Sequence, residues 1–155
     1  MLKLFTYNWQ VREEWLTWCE SLSEEELLKP RIGGQGSILR TLFHIIEVEY
    51  SWTIMLQGNA DPGEPPFEPY ASLSKVREYS AKCHETIAPF LTKWCNADYD
   101  EVKEQTSSGE EGGPSLGDVL RHMIAHEIHH VGQLSVWARE MGRSPVSADL
   151  IGRNL

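Results

Sequence analysis

Between Ser115 and Gly142 the chain reads as one amphipathic helix with two histidines in the middle of its apolar face. On a wheel of about 100° per residue, Leu116, Val119, Met123, His126, His130, Leu134, Trp137 and Met141 fall within an arc of roughly 80°. A stripe like that has to be buried against other helices. It carries His126 and His130 into the interior, where both nitrogens of each ring need partners. Positions i and i+4 bring two imidazoles together on one face, the spacing at which they share a metal ion. A pair of hydrogen-bonded core histidines is the alternative reading; two of them centred on the stripe favour the metal.

The rest of the chain supplies the helices for such a core. Three breaks divide the sequence into four helical segments, and no run shows strand alternation. The first segment spans roughly Leu2 to Ser21, with Leu4, Phe5, Trp9, Trp15, Leu16, Trp18, Cys19 and Leu22 near helical spacing. Ser23 and Glu26 then form a capping-box pattern for a short turn that stops at Pro30, and 31–36 (RIGGQG) reads as a loop. Ser37 is a good N-cap for a second segment that ends near Gln57, before Gly58. Residues 58–70 hold four prolines and two glycines and read as a long loop. The third segment starts near Ser72 or Ser74 and ends near Asn96, with a kink or break expected at Pro89. Residues Ala97–Pro114 read as a mobile polar loop, and Ser115 with Asp118 caps the last helix. Four such helices in 155 residues make an all-α four-helix bundle, one domain over residues 1–155. The two long connections permit a topology other than up-down-up-down.

A metal site needs a third ligand, and His44 is the histidine of the second helix. Thr41, Val48, Trp52 and Met55 share its face. The predicted metal ligands are therefore His44, His126 and His130. His122 and His129 lie at the edge of the stripe, as groups beside the ligands or on the surface. His84 has no partner at a ligating spacing and reads as structural. Glu47, one turn after His44, is placed to orient a ligand imidazole. Three neutral imidazoles suit Zn, Ni, Fe or Cu better than Mg or Ca. Three protein ligands leave an open coordination position, as catalytic sites do.

His126-Glu127-Ile128-His129-His130 also spells HExxH, the signature of zinc peptidases. The longer metzincin pattern fails, because Gln133 and Val136 stand where it needs Gly and His, and no strands are predicted to form a peptidase cleft. Glu127 sits about 100° from His126 on the wheel. It flanks the site and reads as an exposed helix glutamate, with a base or ligand-orienting role as the alternative.

The segments YNWQVREEWL, LSEEEL, GSILRTLFHI and HEIHHVGQL together resemble the DinB-like family over nearly the whole chain. The last is close to the family's H-x-x-x-H-R-G-Q segment, with Val131 where the family often has Arg. The resemblance implies a four-helix bundle with a divalent metal, often nickel or zinc, on His44, His126 and His130, and commonly a homodimer. Relatives include transferases and isomerases that use low-molecular-weight thiols such as bacillithiol or mycothiol. For the dimer the sequence offers its own signal. Leu39, Phe43, Ile46, Tyr50 and Ile54 form a second apolar stripe on helix 2, and Ile124, Ile128 and Val131 lie off the stripe of the last helix. Such helices are either central or at an interface.

The formal net charge of −9 argues against nucleic acid and against an anionic membrane surface. Arg40, Glu47 and Glu49 interrupt the most apolar segment, so no membrane span is predicted. Cys19, Cys83 and Cys95 are an odd set without CxxC spacing, which suits a reducing cytoplasm. No charged n-region precedes an apolar run, so no signal peptide is expected.

The function expected first is thus a metal-dependent thiol S-transferase acting on a small electrophilic substrate. The metal activates a low-molecular-weight thiol cosubstrate, and Arg40 is a candidate anchor for its carboxylates. A metal-dependent hydrolase comes second. A non-catalytic, stress-associated metal-binding dimer, its site sealed by Trp52 and Trp137, comes third.

Overall fold

The computed structural model describes residues 1–95 and 114–155. It contains α1 (Leu2–Cys19), α2 (Glu24–Leu28), α3 (Ile38–Leu56), α4 (Leu73–Cys95) and α5 (Leu116–Glu140), with a single 3-10 turn at Glu68–Tyr70. No strand element occurs among the described residues. The fold is all-α, as predicted. The 97–113 part of the expected loop lies outside the described residues.

Local chemistry sets the helix ends. The hydroxyls of Ser23, Ser37 and Ser115 accept from the amides of Glu26, Arg40 and Asp118 at 3.2, 3.2 and 3.1 Å. Each satisfies an amide that the first helical turn leaves without a partner. At the other ends, Gly58 and Gly142 take φ values of 83° and 70°. Asn59 N–H then reaches Ile54 O, and Arg143 N–H reaches Ala138 O, which closes a Schellman motif on α3 and on α5. The break expected at Pro89 does not occur, and α4 runs through it unbroken. The proline-rich connection is also more ordered than its composition suggests. Phe67 and Tyr70 pack their rings on Phe43 at 5.4 and 5.0 Å, which pins the segment against α3.

Around the bundle, α1 packs on α4 and α5, and α3 packs on the same two helices. The consecutive pairs α1/α3 and α4/α5 therefore lie across diagonals, a departure from a simple meander. One apolar cluster gathers Val11, Trp15, Leu16, Leu39, Leu42, Phe43 and Leu134. The other gathers Phe5, Ile87, Leu91, Leu116, Val119 and Met123. Between them a polar layer crosses the interior: Asn8 and Arg12 from α1, Glu47 and Glu49 from α3, Glu127 and His130 from α5, all buried.

Most of the second apolar stripe of α3 is consumed inside this chain, with Ile54 left half-buried. Leu39, Phe43 and Ile46 are fully buried in the first cluster, and Tyr50 packs against it. Ile124 and Val131 are likewise buried, and only Ile128 of that set is exposed. Most of these two faces is therefore core, and Ile54 and Ile128 keep partial exposure. No described helix is long and apolar enough to cross a membrane.

Candidate metal centre

His44 projects from the second turn of α3 toward the middle of α5, where His126 and His130 stand one turn apart. Its Nε2 lies 3.2 Å from His126 Nε2, and His130 Nε2 lies 3.1 Å from that same atom. One nitrogen from each ring falls within 4.8 Å of the other two. A proton can bridge one pair of such nitrogens but cannot serve three. Ligands held about 2.1 Å from one ion at octahedral to tetrahedral angles would sit about 3.0–3.4 Å apart. Two of the three spacings match that, and the third, between His44 and His130, lies within 4.8 Å. His130 is buried, while His44 and His126 are half-buried.

The proton inventory of the rings suits a cation. Burial is the largest influence lowering all three histidine pKa values, with neighbouring imidazoles adding to it at His44 and His126. His126 is brought down to about 4. The rings are neutral near pH 7, and a neutral ring offers one bare nitrogen. At His130 the choice of nitrogen is fixed. Nδ1 lies 2.7 Å from Gln133 Oε1, which can only accept, so Nδ1 carries the proton and Nε2 is free. The Gln133 amide in turn donates to His129 Nε2 at 3.0 Å. His129 therefore stands beside the ligands, one bond further out. Gln133 itself was not singled out from the sequence; its place one turn after His130 is the signal that finds it. The 31–36 loop closes over this bond. Gly34 has φ 53°, and a Cβ there would come within 2.6 Å of the Trp137 ring and 3.1 Å of Gln133 Oε1, so only glycine lets the backbone approach.

Other expected residues fall elsewhere. Glu127 is a correction: it is 3% exposed and turned away from the histidines. Its two oxygens accept from Arg12 Nε and Nη2 at 2.9 and 2.5 Å, and Arg12 Nη1 donates to Glu49 at 2.8 Å. Trp9 Nε1 holds the other Glu49 oxygen at 2.9 Å. The HExxH pattern thus loses its base, because the glutamate is committed to an ion triad across the core. His122 is exposed, with its ring 5.9 Å from His126 and 5.8 Å from Trp52. His84 packs edge-on to Trp9 at 4.6 Å, away from the cluster. Glu47 is buried close to His44, but no hydrogen bond joins them, and His44 Nδ1 is buried without a partner. Burial together with Glu64 and Asp61 pushes the Glu47 carboxyl up to about 7. Arg40 is exposed beside Phe67, its guanidinium 5.8 Å from the ring. Trp137 is buried and donates to Ile32 O, whereas Trp52 is half-exposed. Burial raises the thiols of Cys19, Cys83 and Cys95 to about 12, 11 and 11, so none is a ready nucleophile.

A model of the DinB family matches residues 1–154 of this chain. An uncharacterized protein of Bacillus subtilis strain 168, YizA, is 50% identical over 158 aligned residues, spanning all of this chain and 96% of its own.

Proposed function

This chain belongs to the DinB family, and we propose that it is a divalent-metal-dependent transferase that joins a low-molecular-weight thiol to a small electrophile. The observation that carries the reading is the convergence of one nitrogen from each of three imidazoles, two of them on half-buried rings. His44, His126 and His130 would hold the ion, nickel or zinc, and Gln133 keeps the His130 proton on the outer nitrogen. A metal bound there would supply Lewis acidity that lowers the pKa of a thiol or water in its open position.

Two features favour a thiol over water. A free thiol has a pKa near 8.5, against about 15.7 for water, so it needs far less activation. The glutamate that HExxH chemistry would use as a base is locked to Arg12. Cys19 and Cys83 are buried, Cys95 is half-buried and all three thiols are raised, so the sulfur has to arrive with a cosubstrate. Arg40, exposed one turn before His44, is available to meet an anionic group on it.

The test loads the protein with nickel or zinc and presents small thiols, including bacillithiol, with a chromogenic electrophile. The expected result is thiol conjugation above the uncatalysed rate, lost in the metal-free protein and in His126→Ala. Turnover of an activated ester without any thiol, and no conjugation with one, would replace the transferase by a hydrolase.

A further inference from the structure

Glu47 is the one acidic side chain in the buried polar layer that the ion triad does not use. It is 5% exposed. Among the described residues it makes no hydrogen bond and no ion pair; the charged groups it feels are Glu64 and Asp61, both of its own sign. A carboxylate withdrawn from water without a partner is costly. The nearby cations do not relieve it: Arg12 is saturated by Glu49 and Glu127, and Arg40 points into solvent beside Phe67.

What Glu47 does approach is His44. A Glu47 oxygen, a His44 ring nitrogen and a Glu64 oxygen lie within 4.8 Å of one another. Glu64 is exposed and solvated. Asp61 is already engaged, accepting from Ser51 Oγ at 2.7 Å and from Gly63 N–H at 2.9 Å. His44 belongs both to this group and to the three-nitrogen cluster, with Nε2 facing His126 and Nδ1 buried without a partner. A buried carboxyl group beside one neutral nitrogen donor of the three-histidine cluster lacks one thing, a cation.

We propose that Glu47 is a fourth protein donor to the ion held by His44, His126 and His130. The inference rests on the three-histidine reading and extends it. Glu47 groups with His44 and not with His126 and His130, so ligation requires a change of its side-chain rotamer. Three imidazoles and one carboxylate suit first-row ions that accept more than four donors, such as nickel, iron or manganese, and leave positions open for substrate. The carboxylate also brings the charge of the loaded site from +2 to +1.

The test is calorimetric titration with Co(II) and Ni(II), with the Co(II) absorption spectrum as a second readout. Wild type, Glu47→Gln, Glu64→Gln and His126→Ala are compared. Glu47→Gln is expected to weaken binding by roughly 10- to 100-fold and to shift the Co(II) bands. The same variant without metal should melt no lower than wild type, because an unpartnered charge has been removed. Glu64→Gln should stay within about threefold. Glu47→Gln with unchanged affinity and spectrum, beside a His126→Ala that no longer binds, would overturn the Glu47 assignment alone. Two ions per wild-type chain would overturn it in favour of a separate site. A wild type that takes up no ion would overturn the three-histidine reading and this inference with it.

Discussion

Replacing Arg12 with methionine is expected to destabilise the fold by about 3–5 kcal/mol. The guanidinium is 3% exposed and joins Glu49 and Glu127, which are 4% and 3% exposed. Methionine keeps much of the volume but leaves two buried carboxylates without a counter-ion. The loss comes from that stranded charge and not from the worth of the ion pairs themselves, since desolvation offsets much of their attraction. Adding Glu49→Gln and Glu127→Gln to Arg12→Met removes both stranded charges and should recover most of the lost stability. For a chain of this size the single variant should melt roughly 6–20 °C lower. A single variant within about 1 kcal/mol of wild type would mean that water or protons already neutralise the glutamates.

Saturating divalent metal is expected to stabilise the folded chain strongly, and His130→Ala should abolish the effect. An ion at about 1,000 times its dissociation constant adds about 4 kcal/mol, and losing one of three nitrogens removes most of the affinity that generates it. The pH dependence has a definite sign. The three histidines have lowered pKa values in the folded state. The folded protein therefore binds fewer protons than the unfolded chain between about 6.5, the unfolded value, and the folded value, which is about 4 at His126. The stability contributed by neutral rings is fully present above that window and is lost as pH falls through it. Metal competes for the same nitrogens, so its added stability fades in the same direction. Melting curves with and without nickel from pH 8 to pH 4 check both statements. Metal stabilisation that survives in His130→Ala would place the ion elsewhere.

Much of the site was legible because its signals are local. Ser37, Ser115, Gly58 and Gly142 announce where α3 and α5 begin and end, and those ends fix which residues share a face. With the faces fixed, the i,i+4 pair His126 and His130 and the lone His44 of α3 follow. What stayed hidden depended on three helices at once. Arg12 lies between Phe5, Asn8, Trp15 and Cys19 at helical spacing on α1, Glu49 between Leu42, Ile46 and Thr53 on α3, and Glu127 between Leu120, Ile124, Val131 and Leu134 on α5. Each is a charged residue in an apolar stripe, which read alone looks like a solvated edge. One positive and two negative charges on three stripes amount to a buried triad only when the helices are brought together, and α1 meets α3 across a diagonal that the chain order does not reveal. The same assembly places Leu39, Phe43 and Ile46 of the second α3 stripe in the core. Pro89 stayed within α4 because a helix of 23 residues, with Val76, Cys83, Ile87 and Leu91 buried, has enough packing to absorb one missing amide bond.

We propose one divalent ion on His44, His126 and His130. The most direct test is the metal content of the purified protein after incubation with nickel or zinc and removal of the excess, wild type beside His126→Ala. About one equivalent per wild-type chain and almost none in the variant is the predicted result, since the variant loses the nitrogen that both others approach. No metal in the wild type, or equal metal in both proteins, would contradict it.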